Sequence, residues 1–338
     1  MDSLLIGAIV VIAMALVFDY TNGFHDAANA IATSVSTRAL TPRVALGMAA
    51  VGNFVGAHFG GAVAKTVGDG VVGLPTGMEA LGVVLAGVLG AISWNLITWY
   101  FGLPSSSSHA LIGGLVGSTL CSLLFGVGGS VKWDGILLKI VIPMIASPLA
   151  GFVLGALAML LVIWIFRRSH PGRLNRGFRL AQSVSAAAMS VGHGMQDAAK
   201  TMGIIVLALY TAKLQGSKTD TPEWAYWASA AALALGTYAG GWRIIRTLGR
   251  RVIHLDPPAG FAAESVAATV LWVNSQLGLP ISTTHTITSA ILGVGATKKL
   301  SAVRWGVAGN IVLAWILTFP GAALIAAIAY VICRPLFG

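Results

Sequence analysis

One passage of this chain is written twice, and the repetition limits how it can fold. The stretch GLPSSSSHALIGG, Gly102 to Gly114, has a twin in GLPISTTHTITSAILG, Gly278 to Gly293. A single offset carries Pro104 onto Pro280, the triplet Ser106, Ser107, Ser108 onto Ser282, Thr283, Thr284, and His109 onto His285. Each copy lies between two apolar runs. Proline ends a helix and a hydroxyl side chain caps the next one, so each copy is expected to be a broken helical hairpin. Its downstream arm presents spare N–H and O–H donors at an N-terminus, where the helix dipole favours an anion. One such cap is an ordinary turn. Two in register imply a pair of tips facing each other and able to hold an oxyanion.

The surroundings of these tips follow from composition. Of 338 residues, 56% are hydrophobic and only 9% are charged, against roughly 25% charged in a soluble domain. The expected class is an all-α integral membrane protein in the lipid bilayer of the cell membrane, multi-pass and with no aqueous catalytic lobe. A net charge of +10 would suit nucleic acid, but the basic residues sit in short loops, so no nucleic-acid partner is expected. Cys121 and Cys333 lie in apolar runs and suggest neither a disulfide framework nor a metal site. Met1 to Val17 lacks a basic leader and is expected to be the first helix rather than a cleaved signal.

Apolar segments fall at about 4–34, 42–66, 79–101, 108–128, 135–166, 181–212, 223–249, 259–279, 283–297 and 303–332. The second five echo the first five. Asp26 in DAAN matches Asp197 in DAAK, Trp133 and Pro148 match Trp305 and Pro320, and GNFVGA around Asn53 resembles GTYAGG around Thr237. The domains expected are a first repeat, 1–166, a basic cytoplasmic linker, 167–180, and a second repeat, 181–338. Cationic loops tend to stay in the cytoplasm. That side then takes Arg38, Arg43, Arg167, Arg168, Arg173, Arg176, Arg179, Arg243, Arg246, Arg250, Arg251, Lys298, Lys299 and Arg304. Lys65, Lys132, Lys139, Lys213, Lys218 and Arg334 are left outside. Both termini then lie outside, each half crosses an odd number of times, and the halves are inverted copies. Inverted repeats with broken helices meeting near the midplane are a transporter architecture.

Ionisable residues inside such segments are functional candidates by default. The first segment carries Asp19 and then NGFHDAANAIAT, Asn22 to Thr33. Asn22, Asp26 and Asn29 supply oxygen ligands at roughly helical spacing, suited to a hard cation such as Na⁺ or to a titrating proton. The second copy offers His193, Gln196, Asp197 and Lys200, with Lys200 where Asn29 stood. That lysine either pairs with Asp197 or touches the anion. Glu264, inside the first arm of the second hairpin, is expected to join this network. His25, His193 and Glu264 are the candidate proton relay, although a lone membrane histidine is more often a packing residue. No zinc or phosphate-loop spacing is present, and no cofactor is expected. Trp94, Trp99, Trp133, Trp242 and Trp305 read as interface anchors or packing residues.

GFHDAANAIAT with GLPSSSSHALIGG, repeated as GHGMQDAAK with GLPISTTHTITSAILG, resembles the inorganic phosphate transporter family, most closely its bacterial low-affinity members. The resemblance covers essentially the whole chain. It implies two inverted repeats of about five helical segments, each with a re-entrant hairpin. It further implies phosphate ligands at Ser106, Ser107, Ser108, Ser282, Thr283 and Thr284, and Na⁺ or another coupling cation at Asp26, Asn29 and Asp197. Two features depart from the family pattern. Gly194, Met195, Gln196, Asp197 stand where GAND is common, and a short arginine linker replaces a large central loop. The function implied is symport of inorganic phosphate with H⁺ or Na⁺ by alternating access, without enzymatic activity. A protonated phosphate can donate to a carboxylate whereas sulfate only accepts, which favours phosphate over a sulfate or other oxyanion permease. A passive anion channel would need no midplane carboxylates. An intramembrane hydrolase built on Ser108 and His109 is disfavoured, because adjacent helical residues point about 100° apart. Mg²⁺ carried as a metal–phosphate complex and assembly as a homodimer stay open.

Overall fold

The computed structural model describes residues 3–337, without the side chains of Arg250, Arg251 and Ala302. Two of the basic loop residues counted above, Arg250 and Arg251, therefore lie outside the described side chains. The helices are α1 (Ser3–Ser36), α2 (Pro42–Ala57), α3 (Gly61–Gly70), α4 (Met78–Phe101), α5 (Ser107–Leu123), α6 (Trp133–Ile136), α7 (Ile142–Phe166) and α8 (Pro171–Thr211). They continue as α9 (Glu223–Ala239), α10 (Trp242–Arg246), α11 (Pro257–Gln276), α12 (Thr283–Lys298) and α13 (Trp305–Cys333). A π-helical turn, Leu137–Val141, joins α6 to α7, and another, Thr247–Arg251, follows α10. Among the described residues four helices are long and apolar enough to cross a membrane, or five if the bent pair α2 and α3 is one span. Among the described residues the one pair of strands is β1 (Val72–Gly73), two residues long and antiparallel to β2 (Ser130–Val131). It ties together the chain just before α4 and just after α5.

Three expectations change. The segment 42–66 is two helices bent by 68°, and 223–249 likewise breaks after Ala239. Each break falls at a glycine pair, Gly60–Gly61 and Gly240–Gly241, and Gly240 takes φ 77°, a conformation that favours glycine. The stretch 167–180, expected to be a connecting loop, is helical from Pro171 onward. Only 167–170 is non-helical, because Pro171 opens α8 and the His170 ring caps it, Nδ1 accepting from Gly172 N at 3.2 Å. At 41 residues, α8 is about 60 Å long, and its first turns expose Arg173, Arg176 and Arg179.

The packing interlocks the halves. α2 lies on α8 and α9 lies on α1, each contact closed by a glycine. A methyl on Gly56 would stand 2.1 Å from the Val191 carbonyl oxygen, and one on Gly236 would stand 2.0 Å from that of Tyr20. The last helix of each half packs on the other half's hairpin, α7 on α11 and α12, and α13 on α4 and α5. Two apolar cores result. One gathers the start of α1 with α3, α4, α5, the end of α8 and α9. The other gathers Ala28 to Ala32 of α1 with the start of α2, α10, α11 and α12. The polar turns of α1 and α8 run between them.

Candidate functional site

Each hairpin turns on a glycine in the left-handed region, Gly102 at φ 65° and Gly278 at φ 67°. The next helix then begins at the expected hydroxyl. Ser106 caps α5 by accepting from His109 N at 3.2 Å, and Ser282 caps α12 by accepting from His285 N at 3.1 Å. The two tips meet. Ser108 Oγ donates to the Ile281 carbonyl at 3.1 Å, and the His109 and His285 rings pack edge to face, 4.8 Å between centroids. Trp315 stacks on His285 at 3.9 Å, and its Nε1 donates to the Pro104 carbonyl at 3.1 Å. His109 and His285 are thus packing residues where the tips touch, and Ser108 has no bond to His109.

A threonine holds each tip from behind. Thr66 of α3 donates to the Gly278 carbonyl at 2.7 Å, and Thr247 donates to the Gly102 carbonyl at 2.9 Å. Both come from the second arm of a broken helix. This pair escaped the sequence reading, although the glycine pairs ahead of each threonine are a signal for the breaks.

The polar turns of α1 reach both tips. Asp26 Oδ2 accepts from Ser107 Oγ at 2.9 Å, and its Oδ1 accepts from Thr284 Oγ1 at 3.4 Å. Asn29 Nδ2 donates to Thr283 Oγ1 at 3.0 Å and to Thr284 Oγ1 at 2.9 Å. Asn29 Oδ1 is buried with no partner among the described residues. His25 holds Asp26 from the side, with Nδ1 2.6 Å from Asp26 Oδ1 and Nε2 3.0 Å from Thr98 Oγ1. Ser105 completes that group, 3.3 Å from His25 Nε2.

The second copy meets the first. Lys200 Nζ lies 2.5 Å from Asp197 Oδ1, and His193 Nε2 lies 3.0 Å from Asp197 Oδ2. The latter contact is close, but its direction does not make a hydrogen bond. Asp26, His193 and Asp197 offer ligand atoms all within 4.8 Å of one another, so the two matching aspartates converge. His193 Nδ1 sits 3.0 Å from Asn53 Oδ1, and Asn53 Nδ2 donates to Thr237 Oγ1 at 2.8 Å. Asn53 and Thr237 had served only as repeat anchors. Their matched positions were the available hint that they meet.

Three candidates behave differently. Gln196 reaches the second hairpin, its Nε2 3.2 Å from the Leu279 carbonyl, while its Oε1 is buried with no partner among the described residues. Both side-chain polar atoms of Asn22 are buried without a partner among the described residues. Glu264 is not part of the aspartate network. It takes Thr33 Oγ1, Ser185 Oγ at 2.6 Å and Gln182 Nε2 at 3.3 Å. It faces the last turns of α1 and the first turns of α8, well along both helices from Asp26 and Asp197.

The model of the phosphate transporter family matches residues 22–326, from Asn22 through both tips. The chain belongs to that family. It is 51% identical over 320 residues, 94% of each sequence, to a probable low-affinity inorganic phosphate transporter of Rhizobium meliloti (strain 1021). It is 46% identical over 337 residues, the full length of both, to a protein of the same name in Bacillus subtilis (strain 168). The solved structure called "The sodium-dependent phosphate transporter" superposes with a TM-score of 0.88 at 24% identity, covering 98% of this chain and 99% of that one. That likeness carries the fold. The named relatives are transporters, and this family member is a transporter rather than an enzyme. Family and apolar helices together fit a multi-pass membrane protein.

Proposed function

We propose that this chain takes up inorganic phosphate in symport with a cation, H⁺ or Na⁺, by alternating access between two inverted repeats. The observation that carries the reading is Asp26, which accepts a hydroxyl from each hairpin tip. Ser107, Thr283 and Thr284 now turn their hydroxyls toward Asp26 and Asn29. An incoming tetrahedral oxyanion would take those donors together with the N-terminal amides of α5 and α12. Ser106, Ser108 and Ser282 line the same tips. A cation beside Asp26 offsets the anion's charge, since a buried unpaired charge is prohibitively costly. Phosphate suits the site because its own proton can be donated to the Asp26 carboxylate. The relatives named as inorganic phosphate transporters support that substrate.

Inverted repeats are supported by packing pairs that map onto each other when the halves are exchanged, α2·α8 with α9·α1 and α7·α12 with α13·α5. In this reading the halves are residues up to 166 and from 171, where α8 begins, with the basic loops cytoplasmic and both termini outside. In proteoliposomes, radiolabelled phosphate should accumulate above equilibrium when a proton or sodium gradient is imposed, and unlabelled sulfate should compete poorly. Equal uptake with and without either gradient would make the protein a channel.

A further inference from the structure

The two copies of the polar motif differ at one position in a way that changes charge. Asn29 on α1 becomes Lys200 on α8. Asn29 is neutral, hands its amide hydrogens to Thr283 and Thr284, and keeps a buried oxygen free. Lys200 is only 1% exposed, and its ammonium lies 2.5 Å from Asp197 Oδ1. The other Asp197 oxygen faces His193 at 3.0 Å. Both faces of this carboxylate therefore meet side chains of the same helix, whereas Asp26 meets hydroxyls and His25. A mobile cation drawn to Asp197 would also face the Lys200 ammonium, and like charges repel strongly at low dielectric.

We propose that Lys200 is a resident counter-cation, a tethered ammonium filling in the second repeat the position that a transported metal ion would otherwise take against Asp197. Phosphate uptake then needs no sodium ion at that position, and Lys200 is the residue that sets the protein's cation requirement. One cation position is left, beside Asp26, and here a proton on that carboxylate fills it, so the wild type moves phosphate without sodium. The inference rests on the transport reading above.

A structural ion pair and a resident cation predict different things when the lysine is replaced. The test is sodium response, read in K200N, which restores the residue type of the first repeat, and in K200M. At fixed pH, wild-type uptake should be equal in sodium and choline media. K200N should lose about tenfold or more in choline, because a buried carboxylate stripped of its partner is costly, and should regain uptake as sodium is added. K200M, which offers no oxygen, should be slow in both media. A second readout is independent of transport: sodium should raise the melting temperature of purified K200N and leave wild type unmoved. If K200N does not fold, K200Q is read in its place. Uptake by K200N in choline within twofold of wild type would overturn the proposal. So would a folded K200N that responds to sodium in neither assay, or a wild type that requires sodium. A wild type moving no phosphate under any gradient, while the sodium melting response holds, would defeat the transport reading and spare the cation position.

Discussion

The hairpin tips and the polar helix turns were duplicated together, yet only the tips have stayed alike. Ser106 and Ser282 cap their helices through the same hydrogen bond, 3.2 and 3.1 Å. Gly102 and Gly278 turn at nearly the same φ, and each offers its carbonyl to a threonine. The polar turns diverged. Asp26 reaches both tips through neutral partners, whereas Asp197 is held by Lys200 and His193. Twinned tips suit one tetrahedral ligand approached from two sides. Unequal aspartates suit a site where one partner charge travels and the other belongs to the protein.

Asp26→Asn should cause the largest loss, because it weakens charge-assisted hydrogen bonds to both tips at about 1.5–3 kcal/mol each. Concentrative uptake should fall by about a hundredfold or more, and full uptake would break the distinction between the aspartates. Next come the tips. Ser107→Ala and Thr283→Ala should each raise the apparent KM for phosphate by about tenfold, the worth of one well-made hydrogen bond. Equal effects sharpen the likeness of the tips, while an unchanged KM in both moves the ligand elsewhere. The smallest effects concern the threonines behind the tips. Thr66→Val should speed amide hydrogen exchange over 278–282 and Thr247→Val over 102–106, each by about fivefold for a bond near 1 kcal/mol. Faster exchange at both tips in either variant would mean that the hairpins do not open one at a time.

Much of this was legible in the sequence because lipid leaves few options. Charge-poor runs had to be helices, and Pro104 and Pro280 followed by hydroxyls had to interrupt them. The N-caps, the tip residues and the convergence of Asp26 with Asp197 follow from that. The breaks at Gly60–Gly61 and Gly240–Gly241 were hidden because hydropathy reports how apolar a run is and not its direction. Glu264 was misjudged for a related reason. Its place within a hairpin is clear from sequence, but its partners Thr33, Gln182 and Ser185 are set by the crossing of α1, α8 and α11. The helix through 171–180 was missed because exposed arginines read as loop, although Pro171 is a recognised helix start.

The central claim is that both tips share one tetrahedral anion beside Asp26, and anomalous diffraction from crystals soaked in arsenate tests it most directly. A single arsenic peak within about 4 Å of the hydroxyl oxygens of both Ser107 and Thr284, allowing one As–O bond and one hydrogen bond, is the predicted result. A peak at one tip alone, or away from Asp26, would contradict it.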